Sequence, residues 1–187
     1  MIERIKDIDH RVFTLLNGLH AQSWDNIIIF ISDKSWFILI GLLLFASVKA
    51  LGKKFWIIIL AIGMAWGLAD ASSTRIFKNN IKRLRPCHTA QHSNAHVPHP
   101  EGCGGQYGFV SSHAANSAAI ATTVILFFAH WTRYLSVVWC LAICHSRIYL
   151  GKHYPADVIG GAILGMLCGW IVYLLINKIM EKYNLVL

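Results

Sequence analysis

Lys78, Arg85 and Arg147 are cations that border stretches apolar enough to lie in a hydrocarbon phase. Charge at the edge of a bilayer is costly and calls for a function. Two histidines share that setting. His113 follows Ser111 and Ser112 in GFVSSHAAN, and His153 precedes Asp157 by four residues in SRIYLGKHYPAD. Ser111 or Ser112 can cap a helix there, leaving backbone N–H groups beside His113. Pro155 suits the first turn of a following helix. A carboxylate at Asp157 can then reach back to the His153 imidazole.

Cations that converge with a helix N-terminus make an anion site, and guanidinium forks fit phosphate oxygens. An imidazole held by a carboxylate has a fixed tautomer and a free nitrogen to attack with. A second imidazole can hand a proton to the leaving group. The cations stabilise charge spreading over a transferring phosphoryl group. These residue types point to phosphoryl transfer with a histidine nucleophile at a membrane surface.

The scaffold that must position them is apolar. Of 187 residues, 56% are hydrophobic and 14% charged, against about 25% charged in a soluble domain. Mean hydropathy is +0.51. The apolar residues come in blocks, so the chain reads as an all-α, polytopic membrane helix bundle forming one domain over 1–187. Residues 3–19 repeat Ile5, Ile8, Val12, Leu15, Leu16 and Leu19 at helical spacing. This segment is too charged to span and is expected to lie flat in the interface as an amphipathic helix. A short second helix at 24–32 completes interfacial helices over 1–33. The charged opening MIERIKDIDHR shows no secretory leader pattern.

Spanning takes roughly 20 apolar residues, fewer where the ends are anchored. About five segments qualify: 35–49, 55–77, 112–129, 134–150 and 156–177. Alternation puts the long 78–111 loop and the 151–155 turn on one side. The joints at 49–54 and 130–133 and the C-terminus fall on the other. That second side carries Lys49, Lys53, Lys54, Arg133, Lys178 and Lys182 and is taken as cytoplasmic. The chemistry then faces outward. Lys78 and Arg85 are seven apart, about two turns of one helix face, before Pro86 ends the helix. Gly161, Gly165 and Gly169, and Gly63, Gly67 and Ala71, form small-residue ladders suited to close helix packing.

The net charge of +8 fits basic cytoplasmic loops and anionic headgroups. The basic residues are not gathered in a soluble module, which excludes nucleic acid as a partner.

Together, K-x6-RP (Lys78, Arg85, Pro86), the Ser111-Ser112-His113 element and SR-x5-H-x3-D (Ser146, Arg147, His153, Asp157) resemble the three signature motifs of the type 2 phosphatidic acid phosphatase superfamily. The resemblance covers residues 78–157 with order and spacing intact. Three spaced motifs are a specific signal where one alone is weak. The resemblance implies that His153 attacks phosphorus and becomes a phosphohistidine. It implies that Asp157 orients His153, and that His113 protonates the departing oxygen and then activates water. Lys78, Arg85, Ser111, Ser112 and Arg147 are implied to hold the substrate phosphate, with no metal or cofactor. One element departs from the family. Its second motif is usually Pro-Ser-Gly-His, whereas Val110-Ser111-Ser112-His113 puts a side chain and a hydroxyl where the glycine would stand.

The layout is similar to small bacterial undecaprenyl pyrophosphate phosphatases. The implied protein is an inner-membrane enzyme with its site facing the periplasm or outside. It acts on a membrane lipid, a polyprenyl pyrophosphate first and lipid A phosphate next, with no obligate protein partner. Two other readings stand beside it. The same site can pass its phosphoryl group to a second lipid, or the chain is a membrane metal-binding or transport protein built on His88, His92, His96 and His99.

Those four histidines have metal-ligand-like spacing. Pro98 and Pro100 argue against one continuous helix presenting all four, so a solvated, pH-sensitive loop is expected. Cys87 and Cys103 can form a disulfide beside Arg85 if the loop lies outside the cytoplasm. Cys140, Cys144 and Cys168 read as buried apolar residues. Asp70, inside the second span, is expected to face the bundle or a wet cavity and to pair with a base. His145 reads as a packing residue near the site. Lys82 and Arg83 read as contacts to a second phosphate or headgroup, or as solvated charges. Trp24, Trp36, Trp56 and Trp131 read as an interfacial belt.

Overall fold

The structure is a computed structural model that describes residues 2–36, 38–43, 55–128 and 131–184. Helix α1 is Ile2–Gly18 and α2 is Gln22–Asp33; residues 38–43 are also helical. The rest of the first expected span, the 49–54 joint and His130 lie outside the described residues. Helix α3, Phe55–Ala71, runs on through a π-helical stretch, Ser72–Lys78, and a last turn, Asn79–Ile81. Then come α4 (Ser112–Phe127), α5 (Trp131–Tyr149) and α6 (Pro155–Lys182). Among the described residues no strand forms; an isolated bridge pairs Leu84 with Tyr107 in the long loop.

Lys82 adopts φ +50°, the left-handed conformation that closes a helix. The helix therefore stops before Arg85, which sits on extended chain leading into Pro86. This corrects the expectation that Lys78 and Arg85 share one helix face. Pro86 opens a short 3-10 turn instead of ending the long helix.

Helix α4 is the hub. Its alanines pack against α3 on one side and α6 on the other. The Gly161 ladder of α6 lies directly on its backbone. A Cβ at Gly161 would stand 2.5 Å from the Ser111 carbonyl, and one at Gly169 2.8 Å from that of Ala119, while Gly165 abuts the Ala115 carbonyl. Small residues there permit backbone contact. The second ladder is a correction. Gly63 and Gly67 face open space, with nothing within 4 Å of an added Cβ. Helix α3 instead packs through Ala61, Ala65 and Ala69, all fully buried. The two stripes lie two residues apart, on opposite faces of the same helix.

Among the described residues two helices, Phe55–Ile81 and Pro155–Lys182, are long and apolar enough to cross a membrane. Helix α4 has 16 residues and is largely buried, so its alanines need no lipid-facing hydropathy. Ile159, Ile163, Met166, Leu167, Trp170 and Ile171 stand exposed along α6, as a lipid-facing surface would.

Helix α1 turns Asp9, Phe13 and Asn17, each one turn on from the last, toward the protein. The Asn17 amide donates to the carbonyls of His96, Ile148 and Tyr149, and its oxygen accepts the His96 N–H. Ile5, Ile8, Leu15 and Leu19 remain exposed on the outer face. Trp24, Trp56 and Trp131 are exposed as well. Trp36 departs from the belt: its indole donates to the Ser32 carbonyl and its ring meets Trp139 edge-on.

Candidate active site

The turn between α5 and α6 is shaped by Arg147 and Gly151. The Arg147 carbonyl accepts the N–H groups of both Lys152 and His153. Gly151 has φ +65°, and a Cβ there would stand 2.7 Å from the His96 carbonyl. Both facts demand glycine. His153 is thereby folded inward and is 2% exposed.

Asp157 sits in the first turn of α6 and is fully buried. Its Oδ2 accepts the Tyr154 N–H at 3.0 Å, a capping contact. Its Oδ1 accepts from Arg83 Nη1 at 2.8 Å. The expected reach to His153 stops short of a hydrogen bond, with Oδ2 3.7 Å from Nδ1. The carboxylate is held by the helix cap and by Arg83, which is why it stands back from the imidazole. Gly108 fills the remaining space: a Cβ there would lie 2.9 Å from Asp157 Oδ2 and 3.5 Å from His153 Nδ1.

Three cations act on this histidine, and a fourth, Lys152, lies in the field of two of them. Lys78, at the end of the π-helical stretch, donates to Ser112 Oγ at 2.7 Å. Arg85 is fixed by the loop, donating from Nη1 to the Cys103 carbonyl at 2.6 Å and from Nε to that of Tyr107 at 3.3 Å. Arg147 is buried; its guanidinium donates to Ser32 Oγ of α2, while its Nε is buried without a hydrogen-bond partner. Lys152, also buried, is the addition that motif spacing did not single out. Burial, and then the neighbouring Arg147 charge, pushes its pKa down to about 8. For His153, burial comes first and the charges of Arg85, Arg147 and Lys78 follow. Together they hold its imidazole well below the usual 6.5. Lys78, Arg85 and Arg147 come from α3, the loop and α5, and act on one ring.

Ser111 caps α4, accepting the Ala114 N–H, and donates its own N–H to the Asp157 carbonyl. It is fully buried; its hydroxyl is engaged in the cap of α4, and its backbone N–H joins α4 to α6. Ser112 is half-buried and accepts from both Ser73 and Lys78. His113 is half-buried too, with Arg147, His153, Asp33 and Lys78 as the charged groups acting on it. It lines a groove of about 370 Å³ with Ser32, Asp33, Trp36, Ile40, Trp66 and Asn116.

The histidine loop is solvated only in part: His88 is exposed, but His92 and His99 are buried and His96 is partly so, which corrects the expectation for those three. His96 Nε2 pairs with Asp25 at 2.8 Å and His99 Nε2 with Asp33 at 2.6 Å. His92 is buried among His10, Phe13 and Tyr154, and His88 lies near the Gly104 carbonyl. Helices α1 and α2 supply carboxylates and rings that draw the histidines in separate directions. Cys87 and Cys103 are joined by a disulfide, Cα to Cα 6.2 Å. With His88 they form a group close enough to hold an ion, but both sulfurs are engaged in the bond. Cys140 and Cys144 are only partly buried, unlike Cys168.

Asp70 accepts a hydrogen bond from Asn116 Nδ2 at 3.0 Å, and its charge acts on Lys78, the base near the site. His145 is exposed beside Tyr149. The Lys82–Arg83 pair divides. Lys82 is exposed, whereas Arg83 bridges Asp157 and Asp9 and lies 4.2 Å over the Tyr154 ring.

With this geometry in hand, the class follows: residues 54–181 match the PAP2 superfamily, and the chain belongs to it. It is a phosphatase, a hydrolase of phosphate esters. The chain is 32% identical over 186 residues to a lipid A 4'-phosphatase of Bacteroides thetaiotaomicron, covering 97% of this chain and 83% of the relative. It is 27% identical over 168 residues to an undecaprenyl-diphosphatase of Sulfolobus acidocaldarius, covering 87% and 74%. Its fold matches the solved transmembrane PAP2-type phosphatidylglycerolphosphate phosphatase of Bacillus subtilis. The TM-score is 0.67 at 20% identity, over 94% of this chain and 88% of that one.

Proposed function

We propose that the protein is an integral membrane lipid phosphatase that removes a terminal phosphate through a phosphohistidine at His153. The observation that carries this reading is the convergence of Lys78, Arg85 and Arg147 on His153, with Arg147 and Lys78 also acting on His113. A tetrahedral anion between the two imidazoles meets charge on every side.

In the first step a His153 nitrogen bonds to phosphorus as the bond to the leaving oxygen breaks. His113 gives that oxygen its proton. In the second step His113 takes a proton from water, the resulting hydroxide bonds to phosphorus, and the N–P bond breaks to release phosphate. Asp157 orients His153 from 3.7 Å. The chemistry needs no redox group.

Lipid substrates are supported by the apolar groove beside His113 and by the relatives' activities. We place a sugar-linked phosphate of the lipid A type ahead of a polyprenyl pyrophosphate, because the lipid A 4'-phosphatase similarity runs over nearly the whole chain. The site faces the outer side of a five-span bundle in the inner membrane. The disulfide in the loop supports that side, since such bonds persist in oxidising compartments.

Phosphate release from purified lipid A, undecaprenyl pyrophosphate and phosphatidylglycerol phosphate, in detergent with chelator present, tests the reading. Wild type should release phosphate from one lipid alone, with no acceptor lipid, and should trap an acid-labile, base-stable phosphoprotein on rapid quench. His153→Ala should do neither. Activity that persists in His153→Ala, or vanishes with chelator, overturns it.

A further inference from the structure

Asp9, on the N-terminal helix, is buried and bonded on both sides of the site. Its Oδ1 accepts the Ala156 N–H in the first turn of α6 at 2.8 Å, and its Oδ2 pairs with Arg83 at 2.5 Å. Arg83 reaches onward to Asp157 Oδ1 at 2.8 Å. Its guanidinium lies 4.2 Å over the Tyr154 ring, whose other contacts include stacked His10 of α1. A planar fork between two carboxylates, stacked on an aromatic ring, is a geometry that lysine cannot reproduce. Among the described residues the Asp157 carboxylate is otherwise met by the Tyr154 N–H and, at a longer distance, by His153.

We infer that Arg83 and Asp9 are positioning residues for the reaction, acting through Asp157 on His153. This rests on the proposed role of Asp157 in orienting that histidine. Arg83 fixes one carboxylate oxygen, leaving Oδ2 to face the imidazole. Asp9 fixes Arg83 and ties the start of α6 to α1. The nucleophile's carboxylate is thus braced by the amphipathic helix, whose outer face carries exposed Ile5, Ile8, Leu15 and Leu19.

Because the brace is charged, it also sets the field on His153. The groups facing this pair are Arg83 and Arg85 from the loop, Lys78 from α3, His113 from α4, Arg147 from α5, Asp9 from α1, and Tyr154 on the turn. Removing the Arg83 charge leaves the buried Asp157 anion less compensated and makes His153 easier to protonate. Removing the Asp9 charge does the reverse.

The test is the pH profile of kcat/KM for Arg83→Gln and Asp9→Asn, purified as full chains in detergent with the best lipid of the panel. Both should lose kcat, Arg83→Gln by about a hundredfold, as misplacement of a reacting group does, with KM little changed. The acid limb should move to higher pH in Arg83→Gln and to lower pH in Asp9→Asn. A merely structural brace lowers the amount of active enzyme and leaves the limb in place; unmoved limbs in both variants overturn the inference. If Arg83→Gln does not fold, Asp9→Asn alone decides by the same criterion. Activity retained in His153→Ala would instead remove the underlying mechanism, a separable outcome.

Discussion

The Lys78 ammonium donates to the Ser112 hydroxyl over 2.7 Å, tying the end of the π-helical stretch after α3 to the first turn of α4. Ser73 donates to the same oxygen at 2.8 Å. Ser112 is the residue that replaces the family's usual glycine. Here it anchors the cation that glycine would leave unanchored.

Ser112→Ala removes the acceptor from a charged donor, a loss of about 1.5–3 kcal/mol. The expected result is a fall in kcat/KM of roughly tenfold or more, with weaker inhibition by inorganic phosphate in parallel. Ser112→Thr keeps the hydroxyl and should keep most activity. Equal kinetics for Ser112→Ala and wild type would mean that Lys78 is placed by other contacts.

The pH range of activity follows from the buried charges. In the proposed mechanism His153 attacks as the neutral imidazole, and burial and then Arg85, Arg147 and Lys78 hold its pKa well below 6.5. The acid limb of kcat/KM should therefore fall below pH 6.5. Lys152, with a pKa pushed down to about 8, loses its charge near that pH and weakens the anion site. An alkaline limb should start there, and Lys152→Arg should carry it upward. Stability has its own sign. Below about 6.5 the unfolded chain protonates this histidine while the folded protein does not. The unfolded state then binds more protons, so stability drops as the pH falls from 6.5 toward the folded pKa. Thermal melts in detergent between pH 7 and 5 measure it; a melt that rises on acidification contradicts the burial of an uncharged His153.

Local spacing made the motif residues legible, because each motif lies within a turn or two of one helix start or end. The relationships between motifs were not. Arg83 meets Asp157 and Asp9, each 74 residues away, and nothing within the run KNNIKRLRP separates Arg83 from its exposed neighbour Lys82. The left-handed residue at Lys82 removed Arg85 from the helix without a glycine to announce it. The histidine loop looked solvated because the carboxylates that draw it in, Asp25 and Asp33, stand about 70 residues upstream on amphipathic helices.

The disulfide carries a prediction about Arg85. The Cys103 carbonyl accepts from Arg85 Nη1 at 2.6 Å, and the bond to Cys87 fixes that strand of the loop beside Pro86. Reduction, or Cys87→Ser with Cys103→Ser, frees the carbonyl to drift. Loosening one bond to a charged group by about 1 kcal/mol lowers kcat/KM roughly fivefold. Activity under dithiothreitol, with free thiols counted by alkylation and mass spectrometry, checks this. Full activity with both thiols alkylated would show that Arg85 is held from the Tyr107 side alone.

Helix packing gives the sharpest contrast between two stretches that look alike in sequence. Gly165 and Gly63 both stand in ladders of small residues with a step of four. A side chain at Gly165 would run into the Ala115 carbonyl, the Ala115 carbonyl carbon at 2.9 Å and the Ala118 methyl at 2.9 Å. Backbone atoms cannot swing aside, so α6 must move away from α4. Such overpacking costs typically about 1–3 kcal/mol. The shift also disturbs the site, since the Ser111 N–H bonds the Asp157 carbonyl across the same interface at 2.9 Å. Gly63 meets nothing within 4 Å, and a valine there adds apolar surface on an already exposed face. Gly165→Val should therefore lower both the melting temperature in detergent and kcat, while Gly63→Val should leave both near wild type. If the two variants behaved alike, α4 and α6 would not be in backbone contact, and the coupling of that seam to Asp157 would fail with it.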